Sequence, residues 1–126
     1  GFQMYGNNAH SIYTQNDAGV ESPTKLIEML YEGVLRFNAQ AKKAVKDSDV
    51  EKRVYWLNRS VAVITELIST LDMKEGNISE YLEGLYNYEI HLLAEAGNKN
   101  SFAEIDECSN VFKTLLEAWR ESTDVA

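Results

Sequence analysis

Residues 50–71 read VEKRVYWLNRSVAVITELISTL, and their spacing decides the fold. Val50, Val54, Leu57, Val61, Ile64, Ile68 and Leu71 recur at alternating steps of four and three. Steps of that size lay one apolar stripe along one face of an α-helix, whereas a half-buried strand needs steps of two. It is the cleanest heptad pattern in the chain, and such a stripe calls for neighbouring helices along its length.

The flanks delimit this helix. Asp47-Ser48-Asp49 makes a tight connection before it and offers an N-cap. Lys74-Glu75-Gly76-Asn77 breaks the pattern after it. Upstream, Ser22-Pro23 sets a helix start, since serine caps well and proline has no N–H to leave unpaired in the first turn. Ile27, Leu30, Val34, Phe37, Ala41 and Ala44 then form a stripe, and Lys42, Lys43 and Lys46 suit the negative end of the dipole. Downstream, Leu82, Leu85, Leu92 and Ala96 form a less regular spine, interrupted by Glu89, with Gly97-Asn98 as its stop. Ser101 with Glu104 is a capping-box pattern, followed by Ile105, Cys108, Phe112, Leu115 and Trp119. The expected fold is all-α: an antiparallel up-down four-helix bundle with helices at about 23–46, 50–72, 78–96 and 102–121. An N-terminal arm or short extra helix occupies 1–21, with one apolar element at Ile12-Tyr13, and a tail occupies 122–126. Gly1-Phe2-Gln3 before Met4 reads as a remnant foreign to the protein.

Bulk properties agree with one domain. At 126 residues a chain buries roughly two-thirds of its unfolded surface. Apolar residues make up 44% and charged residues 25%, which is neither disordered nor membrane-like. Twenty acids against twelve bases give −8, so nucleic acid is a poor partner. Nothing approaches a membrane span, and the N-terminus lacks a signal-peptide plan. One cysteine, Cys108, fits a reducing compartment, so a cytoplasmic location is expected.

Site chemistry is sparse. A di-metal bundle uses Glu-x-x-His pairs, but Tyr88 stands three before His91 and Asn7 three before His10. Cys108 lies on a helix spine, where it acts as a small hydrophobe, and His91 reads as a surface residue. There is no phosphate loop, and the carboxylates are spread over solvated faces. The expectation is no enzyme, no cofactor and no metal. What stands out is apolar surplus. Trp56, Val63 and Leu67 sit one position before the main stripe of the second helix, and Tyr81, Tyr86, Tyr88, Ile90 and Leu93 lie beside the third spine. Val111 and Leu116 do so on the fourth. Either these helices are buried on two sides or covered by the N-terminal arm, or they form a groove for a partner helix.

Ser22-Pro23-Thr24-Lys25-Leu26-Ile27-Glu28-Met29-Leu30-Tyr31-Glu32-Gly33 resembles the signature of the flagellar secretion chaperone family FliS. Asn58-Arg59, Gly84-Leu85-Tyr86-Asn87-Tyr88 and Leu116-Glu117-Ala118-Trp119-Arg120 match further family blocks in order, and the likeness covers roughly 4–121. Within the signature, Leu26, Ile27 and Leu30 are expected in the core, and Gly33 is expected to allow close helix approach.

The resemblance implies a bacterial cytoplasmic export chaperone. It would bind the disordered C-terminal segment of flagellin, prevent premature polymerisation and deliver the cargo to the type III export gate. The candidate groove residues are Trp56, Val63, Leu67, Tyr86, Ile90 and Leu93. The arm would act as a displaceable placeholder, and Tyr13 with Ile12 would dock on the cytoplasmic domain of the export-gate protein FlhA. A co-chaperone or a flagellin-competing regulator is a further implied partner. The chain departs from the family at His10, where several relatives carry an apolar residue, and at Gly76-Asn77 in place of a double glycine. The alternative function is a structural or adaptor helical-bundle homodimer without cargo.

Overall fold

The computed structural model describes residues 12–13 and 23–124. The remainder of the expected arm, the Ser22 cap and residues 125–126 lie outside the described residues. Among the described residues four helices follow one another: α1 Pro23–Lys46, α2 Val50–Thr70, α3 Asn77–Ala96 and α4 Ala103–Asp124, with a 3-10 turn at Met73–Glu75. Each helix packs chiefly on two others, in the ring α1–α2–α3–α4–α1. This is the all-α four-helix bundle expected from the periodicity.

Local chemistry sets the connections. The Asp49 carboxylate accepts from the Lys52 amide at 3.0 Å and starts α2. Gly76 sits at φ +70° and ψ −130°, a conformation that strains any residue with a Cβ, and its carbonyl begins α3. The Ser101 hydroxyl accepts from the Ala103 amide at 3.2 Å at the entry to α4. At the other end, α4 runs beyond 121, and the Ser122 and Thr123 hydroxyls fold back onto the Trp119 carbonyl at 3.0 and 2.9 Å.

The core stripes differ from the apolar spacing in one instructive way. On α2 the inward positions are Arg53, Leu57, Ser60, Ile64 and Leu67, continued by Leu71. Val50 and Val54 are 57% and 40% exposed, and Val61 and Ile68 are half-buried. The helix is rotated so that two polar residues face inward. Each finds a partner there: Ser60 donates to Asn38 Oδ1 at 2.7 Å, and Arg53 donates to the Gly97 carbonyl at 3.1 Å. On α3 the buried residues are Ser79, Leu82, Tyr86, Glu89, Leu92, Leu93 and Ala96. Glu89 therefore continues the spine it was expected to interrupt.

The signature segment meets the C-terminal block. Trp119 Nε1 donates to the Thr24 carbonyl at 2.9 Å, and Arg120 bridges Glu28 and Glu32 at 2.9 and 3.0 Å. Ile27 and Tyr31 are buried, while Leu26 and Leu30 are half-buried. Gly33 is buried, but a Cβ there would lie 3.9 Å from Val63, an ordinary contact, so close approach does not require glycine.

Candidate functional site

The arm dipeptide enters the bundle. Ile12 and Tyr13 are 1% and 3% exposed. The Ile12 carbonyl accepts from the Asp72 amide at 2.7 Å, and Tyr13 pairs antiparallel with Leu71 just past the end of α2. The Tyr13 phenol then reaches the interior. Its oxygen lies 3.2 Å from that of Tyr31 on α1 and 2.5 Å from that of Tyr86 on α3, and the latter two are 2.7 Å apart. Three hydroxyls in a closed triangle can each donate once and accept once, so no polar group is orphaned. Burial pushes all three phenols above their usual pKa and keeps them neutral. The Tyr13 ring meets Trp119 edge-on at 5.7 Å, Tyr31 does the same to Phe112 at 5.9 Å, and Tyr86 stacks on Phe112 at 6.1 Å. The arm thus supplies a core residue.

Among the described residues, two grooves open beside this core. The first, about 330 Å3, runs between α2 and α3 and is floored by Val54, Leu57, Val61, Ile90 and Leu93, with Asn58 and Asn98 at its edge. The second, about 410 Å3, lies between α3 and α4 and is lined by Tyr81, Leu85, Val111 and Leu115, with Glu107 and Asn110. Both are mainly apolar, as a surface for an amphipathic segment must be.

The six expected groove residues fall in three places. Ile90 and Leu93 line the α2–α3 groove. Trp56 and Val63 turn toward α1, where Trp56 stacks on Phe37 at 5.7 Å and Val63 faces Gly33. Leu67 and Tyr86 are fully buried in the core. Val54 and Val61, assigned to the core stripe by spacing, are instead groove residues. Their signal was indirect: had Ser60 been taken as an inward polar position, α2 would have rotated and exposed them.

Below the tyrosine triangle lies a second polar cluster, to which every helix contributes. Asn38 accepts from Ser60 and donates to Ser109 Oγ at 3.2 Å. Glu89 is 1% exposed, and its Oε1 has no hydrogen-bond partner. Burial pushes its carboxyl up to about 7, against which the neighbouring Cys108 thiol pulls down, while Glu107 adds to the rise. The Cys108 thiol is itself pushed far up by burial, so it is an inert core group. His91 is exposed and lies 3.5 Å from Glu95. Among the described residues no three His, Cys, Asp or Glu side chains cluster as a metal site, and no helix is long and apolar enough to cross a membrane.

Comparison with known proteins matches this architecture. The family model described as flagellar protein FliS matches residues 5–126. The flagellar secretion chaperone FliS of Campylobacter jejuni is 55% identical over 119 residues, covering 94% of this chain and 93% of the relative. The Salmonella typhimurium protein of the same name is 31% identical over 102 residues, covering 79% and 76%. That of Bacillus subtilis is 28% identical over 115 residues, covering 91% and 86%. With one family pattern running from before the docked tyrosine through all four helices, the chain belongs to the FliS family of flagellar proteins.

Proposed function

We propose that this chain is a flagellar export chaperone that holds the C-terminal segment of flagellin in the bacterial cytoplasm, prevents its premature polymerisation and delivers it to the type III export gate. The observation that carries the reading is the α2–α3 groove, an apolar channel along a bundle otherwise rich in charge. A segment that folds on binding costs about 2–5 kcal/mol or more in ordering, and only an extended apolar contact offsets that. Ile90 and Leu93, joined by Val54 and Val61, are the proposed cargo contacts. Tyr86 and Leu67 would meet cargo only if the arm left, since both are closed off in the docked state. Trp56 and Val63 would bear on cargo only if it also wrapped the α1–α2 face. Ile12 and Tyr13 are proposed to dock on the cytoplasmic domain of FlhA after cargo displaces them.

Calorimetric titration with the C-terminal segment of the same organism's flagellin tests this. The expected result is a one-to-one complex with a strongly negative heat-capacity change, weakened about tenfold or more by Val61→Asp or Ile90→Asp, each of which places a charge in the apolar floor. Both positions are half-buried, and circular dichroism on each variant checks that it remains helical. No binding by the folded protein would leave the family fold without this cargo. Dimers in light scattering would then favour the adaptor reading.

A further inference from the structure

The chain has four arginines among twenty acidic side chains, and they are unequally served. Arg120 bridges two glutamates, and buried Arg53 donates to a carbonyl. Arg36 and Arg59 form no ion pair among the described residues. Both instead lie over the ring of Phe37, at 5.1 and 4.8 Å from its centroid. Arg59 also sits 5.8 Å from the Tyr55 ring and donates from Nη1 to the Tyr55 hydroxyl at 2.9 Å. Trp56 stacks on Phe37 and meets Tyr55 edge-on at 4.9 Å. The result is an aromatic floor on the α1–α2 face, with Tyr55 51% exposed and Phe37 and Trp56 half-buried.

A ring face fixes a guanidinium but takes few of its five N–H donors. Two guanidiniums held in this way are preorganised forks with donors to spare, the arrangement that captures carboxylates bidentately. Tryptophan, tyrosine and arginine together are also the residue types that dominate binding hot spots. We infer that the Arg36–Arg59 face docks a partner peptide segment in which a carboxylate side chain stands next to an apolar or aromatic one. Charge complementarity selects this occupant. The net charge of −8 disfavours nucleic acid, and a small free anion would leave the aromatic floor uncovered. The face lies on the α1 side of α2, away from the α3 side that carries the proposed cargo groove, so the inference does not rest on the flagellin assignment.

The test uses the full chain, isotopically labelled for NMR, with two short synthetic peptides: one alternating aspartate with phenylalanine, the other with asparagine in place of aspartate. Trp56 reports on the face, and buried Trp119 serves as an internal control. The aspartate peptide is expected to shift the Trp56 indole and the Arg36 and Arg59 side-chain N–H signals saturably. Binding should weaken about tenfold in the Arg36→Gln, Arg59→Gln double variant, and likewise in high salt. Equal binding of the asparagine peptide, or equal binding by the double variant, overturns the proposal. So do the same shifts produced by sodium acetate alone or by oligouridylate. A dimer that dissociates in the double variant would make a second copy the occupant and overturn it too.

Discussion

Glu89 shows how one residue can couple the core to pH. A carboxyl at about 7 in the folded state and near 4.5 unfolded binds its proton more tightly in the bundle than in the open chain. Stability contributed by that proton is fully present below about 4.5, declines as pH rises toward 7 and is gone above it. The whole swing is about 3 kcal/mol. The titratable groups bearing on Glu89 are Glu107 and the neutral Cys108 thiol from α4, while Asn38 of α1 and Ser60 of α2 bring no charge to the shared cluster. Glu89→Gln should therefore flatten the pH dependence of urea denaturation between about 4.5 and 7 and raise stability at pH 8. A slope across that window equal to the parent's would remove Glu89 as its source. At the same scale, Tyr31→Phe removes one corner of the hydroxyl triangle but leaves Tyr13 and Tyr86 bonded to each other. A loss of about 1–3 kcal/mol in the same denaturation experiment is expected, because one of the two remaining buried hydroxyls loses the acceptor for its proton.

Among the elements, helix number and the breaks between helices were legible because apolar spacing, caps and glycines act locally. Helix rotation was not. On α2 the sequence offers two stripes, Val50-Val54-Leu57-Val61-Ile64-Ile68-Leu71 and Arg53-Leu57-Ser60-Ile64-Leu67-Leu71, which share Leu57, Ile64 and Leu71. Hydrophobicity favours the first. The fold takes the second, because Asn38 on α1 and the Gly97 carbonyl after α3 satisfy the inward polar groups, and those partners lie 22 and 44 residues away. The candidate site suffered for the same reason: displaced from the core, Val54 and Val61 became groove floor. Two glycines allow a check on element stability. A Cβ at Gly33 meets only ordinary contacts, and one at Gly84 meets nothing within 4 Å. Gly33→Ala and Gly84→Ala should each raise the melting temperature, through about 0.5–1 kcal/mol of helix propensity. A fall at Gly33 would mean that the α1–α2 seam is tighter than 3.9 Å to Val63 implies.

For the whole molecule the question is what the docked arm does to binding. Tyr13 closes the triangle with Tyr31 and Tyr86, pairs with Leu71 and packs on Trp119, so this one residue touches α1, α3, α4 and the end of α2 at once. That importance was invisible in spacing, since a polar stretch holding one Ile-Tyr pair has no period to read. If cargo must displace the arm, every kcal/mol by which Tyr13 stabilises the closed bundle is subtracted from cargo affinity, because only the arm-released fraction is competent to bind. Tyr13→Ala deletes a buried aromatic and should lower stability by about 3–5 kcal/mol. The same substitution should tighten binding of the flagellin segment, while Tyr13→Phe, which keeps the ring and loses only the hydroxyl, should sit between the parent and the alanine variant in both measurements. Denaturation and calorimetry on the three proteins read the two quantities separately. Affinity rising as stability falls would place the arm and cargo in competition for one surface. Affinity unchanged while stability falls would make Tyr13 a core residue that happens to lie on the arm, and cargo would then bind the α2–α3 groove with the arm in place.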